Sequence, residues 1–243
     1  MTSTLFSFVV LFILGLVLGF IKNRTEKVIY NLSFLLFGSV NPGIYIYFII
    51  FLPGIILHEL SHLFMAAIFG VRVGELKLFP EKISKGQIQL GKVITAETNP
   101  LKESLIGLAP LFSGIGAIIF IAYFGLNFPL TLSVNSLSEI IHGLTIATGG
   151  RLLISGYGIF VFSNTMFLSE SDRRSWVILP VILALIISLL YFFNILSNQI
   201  LESNIQKVTN DIAITFVFSI FVDTIFFLPM GLINYILTKN RNG

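Results

Sequence analysis

The stretch GIILHELSHLFMAA, residues 54–67, sets His58, Glu59 and His62 into an otherwise apolar run. An ionisable residue in mid-membrane costs about 2.5–3.5 kcal/mol on insertion scales, so polar side chains kept there are expected to have a task. HELSH has the form HExxH. On a helix, positions i and i+4 share a face, so His58 and His62 can each offer a ring nitrogen to one metal ion, with Glu59 beside them to take a proton from water. Chance supplies on the order of 0.001 such matches in a chain of this composition. The competing reading is a pair of histidines hydrogen-bonded to neighbouring helices. Zinc binding worth about 10–16 kcal/mol in peptides is ample to hold three polar side chains among apolar helices, and this favours the metal.

The rest of the chain fits a membrane setting. Of 243 residues, 55% are hydrophobic and 11% charged, and the mean hydropathy is +0.93. Soluble domains carry about 25% charged residues. The expected fold is therefore an all-α polytopic membrane protein of about six to seven transmembrane helices, a single membrane-embedded domain over 1–243 with its core at about 44–175. Apolar runs at 5–21, 28–50 with 53–69 (or a break at 41–43 followed by 44–69), 101–124, 144–168, 176–193 and 211–237 approach the roughly 20 residues that cross a bilayer. Between them, VGELKLF (73–79) and GQIQLGKVI (86–94) alternate apolar and polar residues, as half-buried strands do, and predict a small surface β-hairpin. Cysteine is absent, so any metal must use nitrogen and oxygen ligands.

Placing the 22–27 segment as a cytoplasmic loop and alternating the spans puts thirteen of the fifteen Lys and Arg residues on the cytoplasmic side. That numbering predicts an N-terminus outside, a C-terminus inside, and the hairpin and HExxH end facing the cytoplasm. An integral protein of a prokaryotic plasma membrane is the expected setting, with the lipid bilayer as a partner and no nucleic acid. The oligomeric state is not specified.

Catalytic zinc takes three protein ligands and keeps one position open, so a further ligand is needed. The residues offer five. His142 falls at the outer side by the span numbering, Glu81 lies in a strand-and-turn context, and Asp223 sits within the last span, where it can equally bond a neighbouring helix. Glu170 and Asp172 follow the fifth span at its cytoplasmic end. Asp172 has an alternative role, since Ser169-x-x-Asp172 is a capping box that could start the next helix.

An apolar helix with HExxH, a surface hairpin, NPLKESLIGLAPLFSG (99–114) and FSNTMFLSESDRR (162–174) together resemble the site-2 protease family of intramembrane zinc metalloproteases over roughly residues 44–175. The resemblance implies Zn2+ as cofactor and hydrolysis of peptide bonds in or near transmembrane segments of membrane-protein substrates. It further implies Asp172 as third metal ligand beside His58 and His62, Glu59 as the catalytic acid–base, Asn164 as a substrate-binding residue, and LAPLFSG as the small-residue segment packed beside the catalytic helix. Phe167 stands where the family has proline, and Ser171-Asp172-Arg173 where it has Leu-Asp-Gly. Two other classes compete. A diiron oxidase needs more histidines than the three present, and a non-proteolytic zinc-binding protein that holds transmembrane helices would have no use for Glu59.

Overall fold

The computed structural model describes residues 2–82, 88–89, 91–96, 98–126, 149–167 and 199–242. These form a helical bundle with a short β-arm. Helix α1 spans Thr2–Phe37, α2 Asn41–Ile68, α3 Pro100–Phe120 with a π-helical turn at Ile121–Gly125, α4 Gly149–Thr165 and α5 Gln199–Asn242. Among the described residues, four helices are long and apolar enough to cross a membrane: α1, α2, α3 with its π turn, and α5. The expected span at 176–193, all but the first residue of the loop at 126–143, and both extremities of the 144–168 span lie outside the described residues.

Helix directions follow from the pairs that touch. Ser33 accepts the Gly43 N–H at 2.8 Å, and Tyr30 meets Tyr47 with ring centroids 6.1 Å apart, so α1 and α2 are antiparallel. Their joint is the turn around Gly38, whose φ of +69° a side-chain-bearing residue rarely adopts. Asn41-Pro42 then opens α2, with proline at a first-turn position where no N–H is needed. Phe51 packs on Phe160 at 5.2 Å, and Gly54 abuts Val161 and Thr165, so α4 runs parallel to α2. Gly114 abuts Met166, and Gly158 abuts Ile121, which makes α3 antiparallel to α4. Gly15 meets Phe216, Asn31 bonds Asn234 at 2.8 Å, and Arg241 lies over Phe34, so α5 is parallel to α1. The core of the bundle is built from Leu18, Phe51, Ile118, Ile159, Val161 and Met166, all nearly inaccessible.

The structure differs from the sequence reading in α1. Residues 22–27, expected as a cytoplasmic loop, are helical within one continuous 36-residue helix. Lys, Arg and Glu are good helix formers, and Lys22 and Glu26 pair at 3.7 Å one turn apart. One continuous helix therefore stands where separate apolar runs were expected before the HExxH helix. The start of α1 lies at the hairpin end of the bundle and the end of α5 at the opposite end, the reverse of what alternating the spans suggests. Pro53, which invites a break between 50 and 53, sits inside continuous α2.

Helix α2 ends at Phe69 in a Schellman motif: Val71 N–H bonds Ala66 O at 2.8 Å and Gly70 N–H bonds Ala67 O at 3.1 Å, with Gly70 at φ +64°. The Lys102 ammonium donates to the Phe69 carbonyl at 2.9 Å, tying the start of α3 to this helix end. Asn99 caps α3 by accepting Lys102 N–H at 2.8 Å. Between these ends the expected β-arm forms. Strand β1 (Val73–Lys77) pairs antiparallel with β4 (Lys92–Thr95), and β2 (Glu81–Lys82) with β3 (Ile88–Gln89). Val73 faces Thr95 and Leu76 faces Val93, with an irregularity between the pairs.

Candidate metal centre

His58 and His62 lie one turn apart on α2 and are oriented from opposite sides. The His58 Nδ1 lies 2.7 Å from the Thr165 carbonyl oxygen, the last residue of α4. Helix ends leave carbonyls without helical partners, and this one is spent on an imidazole. The His62 Nδ1 lies 2.8 Å from the Ile106 carbonyl on α3. Four residues after Ile106 comes Pro110, inside α3 and almost fully buried. Proline has no N–H to return to the carbonyl four residues back, and its ring pushes that carbonyl aside. Ile106 O is thereby turned over to His62.

A carbonyl can only accept, so each Nδ1 is the donor in its bond, and in a neutral ring the Nε2 is then the acceptor. Those two Nε2 atoms stand 3.2 Å apart, with the rings at 79°. Two acceptors at that distance repel unless a proton or a metal ion lies between them. Ligands at about 2.0–2.1 Å in a tetrahedral zinc shell stand about 3.3 Å from each other. The pair therefore has the spacing of two imidazoles that could hold zinc, each ring steadied by a backbone carbonyl at its other nitrogen.

Glu59 and His62 are each 6% exposed. The β-arm closes over the glutamate, since a Cβ built on Gly91 would lie 2.6 Å from Glu59 Oε1 and 2.9 Å from its Cγ. Only glycine lets the chain entering β4 come so near the carboxylate. Close approach beneath the histidines has the same origin: a Cβ on Gly54, one turn before His58, would overlap Thr165 Oγ1 and come within 2.8 Å of Val161 Cγ1.

The remaining sequence candidates separate. Asp172, Glu170 and His142 lie outside the described residues. Among the described residues, no group of three His, Cys, Asp or Glu side chains is placed to hold a metal ion. Glu81 falls in β2, not on a helix. Asp223 is fully buried, and its Oδ1 accepts the Ser163 hydroxyl at 2.7 Å across the α4–α5 contact. This is the helix-to-helix role, away from the histidines. Asn164, expected at the substrate, is 1% exposed. Its amide donates to Phe160 O at 2.8 Å and approaches Ser163 Oγ at 3.4 Å, while Asn164 Oδ1 has no hydrogen-bond partner among the described residues.

Sequence reasoning missed the two carbonyls. Backbone oxygens carry no residue-type signature, and only Pro110, four residues beyond Ile106, marks one of them. Comparisons with protein-family models, curated proteins and solved structures found no significant match to this chain.

Proposed function

We propose that this chain is an intramembrane zinc metalloprotease resembling the site-2 proteases, cleaving membrane-protein substrates in or near a transmembrane segment. The observation that carries the reading is the facing of His58 Nε2 and His62 Nε2 at 3.2 Å with each Nδ1 committed to a backbone carbonyl. A structural pair would need one ring protonated so that it donates to the other, whereas a metal ion satisfies both neutral rings at once. Of about six to seven spans in this reading, α1, α2, α3 and α5 supply four.

His58 and His62 would hold zinc, with Asp172 as third ligand. Bound there, the ion supplies Lewis acidity that brings the pKa of its water to about 7. Glu59 takes the proton of the attacking water and returns it to the leaving amine. Its burial under Gly91 keeps that exchange away from bulk solvent. A scissile segment must leave its helix to be cut, and its backbone then needs partners that lipid does not give. Among the described residues the β1–β4 ladder has two strands, and an extended substrate could pair along its edge. Asn164 is given to substrate contact by the resemblance alone; buried at 1% exposure, it would have to be uncovered before its Oδ1 could meet a substrate.

Reconstitution of the full chain with a single-span membrane substrate and zinc tests this. Glu59→Gln is expected to retain zinc and lose cleavage by at least about 10²-fold. Cleavage unaffected by Glu59→Gln would overturn the proteolytic reading and leave a zinc-binding protein that holds helices.

A further inference from the structure

We infer that Pro110 is a positioning residue for the metal centre: it keeps the Ile106 carbonyl out of the α3 hydrogen-bond ladder so that the carbonyl fixes the tautomer and ring orientation of His62. The inference rests on the metal-site reading of His58 and His62.

In a regular helix the carbonyl of residue 106 would accept the N–H of residue 110. Position 110 has none, and the ring excludes the ladder geometry sterically. Pro110 is buried in the middle of α3, between Ala109 and Leu111, with helix on both sides. A proline there opposes helix formation, so its place in a long apolar helix calls for a return. The return is visible one turn back: Ile106 O sits 2.8 Å from His62 Nδ1, in a direction a laddered carbonyl could not serve without sharing. The chain contains a control for this logic. Pro53 interrupts the ladder of α2 in the same way, and the carbonyl that it frees, at residue 49, is bonded to neither histidine in the described hydrogen bonds. Of these two prolines, the one in α3 delivers its carbonyl to an imidazole in the described hydrogen bonds.

Restoring the N–H should therefore separate two properties that usually move together. Pro110→Ala gives Ile106 O a helical partner, which favours α3 and takes the carbonyl from His62. Loss of an outer-shell partner to a metal-bound histidine typically lowers metal affinity about 10–100-fold. The test uses the full chain in detergent micelles or nanodiscs, with zinc affinity by competition against a chelating dye, the absorption spectrum of the Co2+-substituted protein, and metal-free thermal unfolding. Pro110→Ala is expected to weaken zinc at least tenfold and alter the Co2+ spectrum, while its metal-free melting temperature stays equal or rises. Pro53→Ala is expected to leave zinc affinity unchanged.

Equal zinc affinity and identical Co2+ spectra in wild type and Pro110→Ala would overturn the inference while leaving the metal site standing. An equal loss in Pro53→Ala would also overturn it, by making the effect one of helix regularity. A wild-type protein that binds neither zinc nor Co2+ would remove the underlying reading and the inference with it. A readout independent of any variant is the 15N spectrum of His62 in the metal-free protein. Protonated Nδ1 with unprotonated Nε2 supports the assignment, and the opposite tautomer contradicts it.

Discussion

At the residue scale the account turns on how few atoms define the site. Two imidazoles are set by two main-chain oxygens, one at a helix end and one released by a proline. Glu59 is set by contact with the backbone of Gly91. Gly91→Ala should force that carboxylate or the β-arm to move by a few tenths of an ångström or more. Misplacing a reacting group by about 1 Å can cost on the order of 10²-fold in rate. The expected outcome is a fall in kcat of about tenfold to 10²-fold with zinc stoichiometry unchanged, read by turnover and metal analysis on one preparation. Unchanged kcat would separate the β-arm from the chemistry. His58 and His62 were legible from residue type and spacing, because residues four apart share a helical face and can offer both rings to one ion, and Glu59 from its place within HExxH. Thr165 and Ile106 were not, because what they contribute is not a side chain.

At the element scale, glycines decide which helices meet at the site. Gly54 admits α4 against α2, and Gly114 admits the residue after α4 against α3. Gly54→Ala would place a methyl group against Thr165 Oγ1 and Val161 Cγ1, an overpacking that costs typically about 1–3 kcal/mol. It should also displace the Thr165 carbonyl from His58. The variant is expected to unfold at lower denaturant concentration and to bind zinc more weakly. Wild-type stability together with wild-type zinc affinity would contradict the packing described. The β-arm and the Asn99-Pro100 start of α3 could be read in advance, from two-residue alternation and from a capping asparagine before proline. The continuity of α1 could not. KNRTEK (22–27) is polar enough to pass for a loop, yet each residue tolerates a helix, and neither hydropathy nor turn residues distinguish the two. Pro53 misleads in the opposite direction, since a proline in a packed helix bends or interrupts the ladder without ending it.

For the whole molecule, the antiparallel α1–α2 pair fixes which ends of the bundle lie together. The start of α1 shares an end with the HExxH turn of α2 and the β-arm, and the turn around Gly38 shares the other with the end of α5. Among the described residues, Arg72, Lys77, Lys82, Lys92 and Lys102 fall at the first end, against Arg151, Lys239 and Arg241 at the second. The positive-inside rule makes the first end the one expected in the cytoplasm. The chain has no cysteine, so single replacements report on sidedness directly. Thr4→Cys and Arg72→Cys should react with a membrane-impermeant thiol reagent from the same face, and Ser39→Cys from the other. Labelling of Thr4→Cys and Arg72→Cys from opposite faces would show that α1 and α2 do not form the antiparallel pair, and would return the topology to alternate crossing at 5–21 and 28–50.

All three scales converge on whether a metal ion lies between His58 and His62. Zinc K-edge X-ray absorption on the full chain, purified with zinc supplied, measures this without any substrate. The account predicts about one zinc per chain with a first shell at about 2.0–2.1 Å and the outer scattering of two imidazoles, both lost in His58→Ala/His62→Ala. A zinc-free protein, or bound zinc whose spectrum shows no imidazole and is unchanged in that double variant, would contradict it.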